Sequence, residues 1–375
     1  MRQIPIPEQL QIAEDYPSLV AQIRKITQQN SFRKVLICTG EFTYNLLVKK
    51  LNEDIKSFIE TEIKIVHEED ITKLIALEKE SKSTAIYDTL KSCNIHVDNI
   101  AQSNNAIIAI GGGKVLDFGK YLAAKCLCQF ISIPTLISHD GVCSPVSVLR
   151  SKSLGAIMPV ALIVPLYIIE QGSIEHIQAG VGDLIANLSA IADWQLAAQK
   201  NNEQIDDFAI MLSRRAALNI VQILENQTFN QQSLPQEVQE TILKDSSFLR
   251  ALIENLALSG IAMSIAGNSR PCSGAEHLIS HAIDQIYGHG TKAMHGIQVL
   301  IATLYLEKFR TCDLLDTGIK SLGPSRLKQI LSKLGFPTEF RDINISDIEL
   351  KAIMELAPRT RAGRYSILNE LVLKS

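Results

Sequence analysis

With 375 residues, 46% of them hydrophobic and 21% charged, the chain has enough apolar surface for two domains that each bury a core. A formal net charge of −3 offers no basic field for nucleic acid or an anionic membrane surface, so the expected ligand is a small molecule. The seven cysteines (Cys38, Cys93, Cys126, Cys128, Cys143, Cys272 and Cys312) are odd in number and form no CxxC pair, which argues against a disulfide framework and a thiolate zinc site.

A reducing, cytoplasmic setting is the expectation. The opening MRQIPIPEQL lacks a basic segment followed by an apolar one. The apolar run from Ile157 to Ile169 is interrupted by Pro159 and Pro165 and is too short to span a bilayer, so no membrane insertion is expected.

In chain order, VLICT at 35–39 is a β-branched run closed by Gly40, and EFTYNLLVKKL after it has helical apolar spacing. Strand, turn and helix follow one another there. The pattern returns less cleanly at Glu62 to Val66. It is strong at AIIAI (106–110), followed by Gly111, Gly112 and Gly113 and then KVLDFGKYLAAKCL. QFISI ends at Pro134 and opens the loop PTLISHDGVCSP, and IMPVALIVP ends the strand-bearing part. Such alternation implies a parallel sheet with helices on its faces. Beyond it, GVGDLIANLSAIADWQLAAQK, DFAIMLSRRAALNIVQIL and SSFLRALIENLALSGIAMSIAG carry apolar residues at spacings of three and four. The predicted organisation is an α/β nucleotide-binding domain over 1–165 and an all-helical metal- and substrate-binding domain over 166–375.

Three glycines between a buried strand and a helix let a ligand approach the backbone where the helix N-terminus offers N–H groups and positive potential, as a dinucleotide pyrophosphate requires. The pattern is GGGxxxD, not GxGxxG, with Asp117 in the first helical turn. The loop after the next strand adds Thr135, Ser138, His139, Asp140 and Ser144. Ligands of open parallel sheets bind beyond the carboxyl ends of the strands, so the two loops are expected to face one crevice.

Four of the eight histidines, His277, His281, His289 and His295, fall in the segment SRPCSGAEHLISHAIDQIYGHGTKAMHG. His277 and His281 are four apart with helical apolar residues between them, a spacing that puts both imidazoles on one helix face as a ligand pair. Asp183, in AGVGD at the expected start of a helix, is either its cap or a carboxylate that meets the histidines in an Asp-His-His site with an open position for substrate. Arg270 and Lys292 flank the segment as candidate phosphate contacts.

GGGKVLD, PTLISHDGVCSP, GVGD with DW ten residues on, and SGIAMSIAGNSRPCSGAEHLISH followed by HG together resemble the glycerol-1-phosphate dehydrogenase family, within the superfamily of dehydroquinate synthases and iron-containing alcohol dehydrogenases. The likeness is clear over roughly residues 105–300. It implies a dehydroquinate synthase-like fold and reduction of dihydroxyacetone phosphate to sn-glycerol 1-phosphate with NAD or NADP as the coenzyme. It also implies one divalent metal ion, Zn2+ by family habit, on Asp183, His277 and His295. His281 and Asp140 become substrate contacts with catalytic roles beside Asp183, and Gly111 to Gly113, Asp117, Thr135, Ser138 and Ser144 become cofactor contacts. Where relatives carry an acid before GVGD, this chain has LIVPL with Pro165. A sugar-phosphate cyclase and a dehydrogenase of unphosphorylated polyols are the competing expectations; a homo-oligomer is compatible with all three.

Overall fold

The computed structural model describes residues 4–77, 83–95, 104–150, 152–229, 231, 233–310, 324–361 and 363–372; Met1 to Gln3 and Cys312 lie outside them. The chain divides into two compact units, Met1–Ile137 with Gly141–Gly172, and Ser138–Asp140 with Ser173–Ser375.

The first unit is built on the expected parallel sheet. Its strands are β1 (Gln9–Ala13), β2 (Lys34–Thr39), β3 (Glu60–Ile65), β4 (Asn105–Gly111), β5 (Gln129–Pro134) and, after the short hairpin of β6 (Val146–Leu149) and β7 (Lys152–Gly155), β8 (Ala161–Pro165). The spatial order is β1-β8-β5-β4-β2-β3, every neighbour parallel. Every residue of β4 is buried, which is why AIIAI reads as an unbroken apolar run and not as an alternation. Ile37, Ile108, Ile110, Ile131 and Ile163 share one core with Leu19 and Ile23 of α1 (Tyr16–Gln29). That helix starts in a capping box, with the Asp15 carboxylate accepting from Ser18 N–H at 2.8 Å. Strand β1 had no signal in the sequence because it is an edge strand with one buried residue, Ala13, and two glutamines among its five.

Helix α2 (Gly113–Cys126) follows the glycine turn and carries a buried charge pair. Lys120 is fully buried; its Nζ donates to Gly141 O (2.7 Å) and Val146 O (2.6 Å) and lies 3.1 Å from Asp117 Oδ1. Asp117 Oδ2 accepts from Val148 N–H at 3.1 Å. The pair ties β6 to α2.

The second unit is helical, as expected. Its long elements are α3 (Ile174–Asn201), α4 (Asp207–Thr228), α5 (Ser246–Ala266), α6 (Ala275–Tyr287), α7 (His295–Leu306) and α8 (Asp347–Thr360). Helix α5 has the length and, at a mean hydropathy of 1.4, the composition of a membrane span, yet most of it is buried within the unit, including Leu249, Leu252, Leu256 and Met263. Its apolar character is that of a core helix.

Breaking the buried pair in α2 leaves a charge without compensation, which costs about 3–5 kcal/mol. Lys120→Met should lower the urea midpoint accordingly, and Lys120→Met with Asp117→Asn should recover a large part of the loss.

Candidate metal centre

Asp183 lies well inside α3, not at its start. The cap reading of GVGD therefore fails, and the reason is packing. A Cβ on Gly182 would sit 2.3 Å from Gly296 O, and one on Gly296 would sit 1.9 Å from Ala179 O. Helices α3 and α7 thus cross backbone to backbone, a contact that only glycine at both positions permits. The crossing brings the next residue on one helix, Asp183, opposite the previous residue on the other, His295, with Asp183 Oδ1 3.8 Å from His295 Nε2.

Helix α6 supplies the third group. His277 Nε2 is 3.9 Å from the same Asp183 oxygen, its ring edge-on to that of His295 with centroids 4.8 Å apart. One ligand atom from each of Asp183, His277 and His295 lies within 4.8 Å of the other two. His281 is on the same face of α6, its ring stacked at 6.3 Å on His295 and outside this trio. The pair suggested by HxxxH spacing is thus replaced by one from two helices, because the turn after α6 folds His295 back over His277.

The second nitrogen of each imidazole is already engaged. Glu276 Oε1 accepts from Gly274 N–H and is 2.9 Å from His277 Nδ1. Ser280 Oγ donates to Gln298 Oε1 (2.6 Å) and so accepts from His295 Nδ1 at 2.9 Å; Gln298 is held in turn by Asp284 Oδ1 and Ala293 O. Both Nδ1 atoms therefore carry the proton, and both Nε2 lone pairs are left toward Asp183.

Burial pushes His277 down to about 3 and His281 to about 4, and His295 well below its usual value, so all three rings are neutral at pH 7. Burial pushes Asp183 up, and the nearby Asp140 carboxylate adds to the effect. Two lone pairs and a carboxylate that resists ionisation without a cation fit one divalent ion of the zinc type. Ligands on a tetrahedral centre with bonds of about 2.1 Å stand roughly 3.4 Å apart, so uptake of an ion would draw each histidine about half an ångström closer to Asp183 and close the widest spacing of the trio by at most about 1.4 Å.

Asp140 belongs to this cluster: its N–H donates to Asp183 Oδ2 (2.8 Å) and its Oδ2 accepts from Ser259 Oγ (2.8 Å). Ser138 precedes it in the short segment that joins the helical unit. In the sheet unit Gly111 ends β4, Gly112 caps α2 and Gly113 begins it, and Thr135 N–H donates to Gly111 O at 3.0 Å, so the two expected loops adjoin at neighbouring strand ends. The Asp117 carboxylate is taken up by Lys120 and Val148, and Ser144 Oγ donates to Val146 O at 3.3 Å. His289 is half exposed and bonded to Asp284.

Arg270, a candidate phosphate contact, is clamped instead by the Glu203 carboxylate and by Tyr365 O (2.8 Å). Lys292, the other, donates to Asn344 O (2.6 Å) and lies 3.6 Å from Glu349. Sequence reasoning passed over Glu276 and gave Asp193 no role. Asp193 accepts from Ala275 N–H (2.6 Å), Ile367 N–H (2.9 Å) and Arg310 Nη1 (2.9 Å), anchoring the start of α6 to α3. The DW after GVGD was its only trace.

The chain is 31% identical to a glycerol-1-phosphate dehydrogenase [NAD(P)+] of Methanobrevibacter smithii over 98% of its own length and 94% of the relative's. It belongs to the glycerol-1-phosphate dehydrogenase family. A member of that name from Hyperthermus butylicus is 33% identical, covering 72% of this chain and 71% of its own. The model of the family described as iron-containing alcohol dehydrogenase matches residues 16–172. Among solved structures, glycerol dehydrogenase from Schizosaccharomyces pombe shares the fold with a TM-score of 0.66 at 18% identity, over 98% of this chain and 86% of that one.

Two outcomes test the centre. Gly182→Ala should force α3 and α7 apart, weaken divalent-cation binding at least tenfold in a metal titration, and cost roughly 1–3 kcal/mol or more of stability through overpacking. Because the histidines are already neutral, cation uptake at pH 7 has only the Asp183 proton to displace. Calorimetry in buffers of different ionisation enthalpy should find release of no more than about one proton per ion.

Proposed function

We propose that this chain reduces dihydroxyacetone phosphate to sn-glycerol 1-phosphate, reversibly, with NADH or NADPH. The observation that carries the reading is the meeting of two Nε2 lone pairs and the Asp183 carboxylate in a chain about 30% identical to glycerol-1-phosphate dehydrogenases over nearly full length. Asp183, His277 and His295 would hold the divalent ion, zinc in this reading. When bound, the ion supplies electrophilic pull on the ketone oxygen and the reduced nicotinamide supplies the hydride.

The remaining work falls to the chain. Glu276 and Ser280 keep the two Nδ1 protons in place, so the ligand nitrogens stay aimed without reorganisation. His281, neutral at pH 7, would give a ring N–H proton to the product oxygen and take one from solvent water at its other nitrogen. Asp140 fixes Asp183 through its N–H and offers a carboxylate to a substrate hydroxyl. For the coenzyme, the Gly111 to Gly113 turn and the first N–H groups of α2 suit a pyrophosphate, with Thr135 and Ser138 as further contacts. Asp117 and Ser144 serve that role indirectly, by fixing the β6 hairpin. Among the described residues the six cysteines are all buried free thiols, which suits a reducing cytoplasm.

Oxidation of NADH and NADPH should be followed with dihydroxyacetone phosphate and with dihydroxyacetone. A preference of at least tenfold for the phosphorylated ketone is expected, and equal turnover of the two would overturn the assignment. Metal analysis of two variants separates the histidine roles: His277→Ala should lose the ion, whereas His281→Ala should keep it near stoichiometry and lose most turnover. Equal loss in both would restore the pair that HxxxH spacing suggests.

A further inference from the structure

A phosphorylated substrate needs a cation, and Arg270 and Lys292 are engaged elsewhere. A different pair stands beside the candidate centre. Arg361 and Arg364 follow α8, whose last residue, Thr360, donates from Oγ1 to Leu278 O at 3.4 Å, one residue past His277. Arg364 Nη1 donates to Ser273 O, just before α6 begins. Thr360 and Arg364 therefore attach on either side of His277 in the first turns of α6.

Both guanidinium groups converge on one hydroxyl. Ser269 Oγ lies 3.2 Å from Arg361 Nη1 and 2.9 Å from Arg364 Nη2. A serine oxygen can accept from both but neutralises neither. Among the described residues no carboxylate is within ion-pair distance of either arginine, although the buried Arg270 and Arg310 of the same unit are paired with Glu203 and Asp193. Partial burial and the neighbouring Arg361 and Arg270 push Arg364 down to about 9, outweighing the opposite pull of Glu276 and Glu203, so cations are crowded here beyond what the nearby acids offset. Both charges also act on the imidazoles of His277 and His281, so their field reaches the centre. Two half-buried forks of like charge are unfavourable alone and are matched in geometry and charge by a phosphate dianion.

We propose that Arg361 and Arg364, held in register by Ser269, form the subsite for the phosphate of the substrate that reacts at Asp183, His277 and His295. This rests on the reading of the substrate as a phosphorylated ketone.

The test compares wild type, Arg361→Gln, Arg364→Gln, the double variant and the two Arg→Lys variants. The first readout is the ratio of kcat/KM for dihydroxyacetone phosphate to that for dihydroxyacetone. The second, independent of turnover, is calorimetric binding of inorganic phosphate to the metal-loaded enzyme. Each Gln variant should lower the ratio ten- to a hundredfold, mainly through KM for the phosphorylated ketone. The double variant should lose phosphate binding. The Lys variants keep the charge but not the fork and should show the same order with a smaller loss; they carry the test if the Gln variants do not fold. Wild-type preference for the phosphorylated ketone that survives in the double variant, with phosphate binding intact, would refute the subsite and leave the proposed function standing. No preference in wild type would refute the function, and phosphate calorimetry would then judge the arginines alone: binding lost in the double variant supports an anion subsite, and binding retained refutes it.

Discussion

The contact between Gly182 on α3 and Gly296 on α7 is the constraint from which the centre follows. Two helices whose side chains interdigitate stand roughly 8–10 Å apart, and here the absence of a Cβ at both positions lets backbone meet backbone. At that separation the residues adjoining the glycines, Asp183 and His295, come within reach of one small ion. Neither residue belongs to a turn or loop that would adjust if the helices moved. The geometry of the site is therefore the geometry of a helix crossing.

Helix α6 is set against that crossing by acids that do not themselves join the trio. Asp193, on α3, accepts from the first N–H of α6, from Arg310 and from Ile367 N–H, and it fixes where α6 starts. Glu276, fully buried, accepts from Gly274 N–H and orients His277. The same carboxylate chemistry thus appears in three layers: Asp183 facing the centre, Glu276 behind a ligand, and Asp193 anchoring the helix that carries both Glu276 and His277.

Burial sets opposite demands on the members of this cluster. It keeps the imidazoles neutral, which suits ligands, and it disfavours the charge on Asp183, which a divalent cation would reverse. Arg361 and Arg364 stand in the complementary position, since both share one serine hydroxyl and neither is ion-paired with a carboxylate among the described residues.

The sequence by itself determined the parallel sheet, the helical half and the motifs at the strand ends, because burial on both faces makes β4 continuously apolar and core helices repeat every three to four residues. It missed β1 and the β6 hairpin, which are short, half-exposed and held by partners distant in the chain. It also placed four histidines in one segment, but local spacing favoured His281 as the partner of His277. The family resemblance named His295 instead; tertiary structure showed how His295 comes to lie beside His277, that Asp183 is interior to its helix, and that Arg270 and Lys292 are engaged by Glu203, Tyr365 O, Asn344 O and Glu349. Those outcomes depend on which helices touch and which acid reaches which base. Such contacts are set by packing between segments far apart in the chain, where periodicity and spacing carry no information.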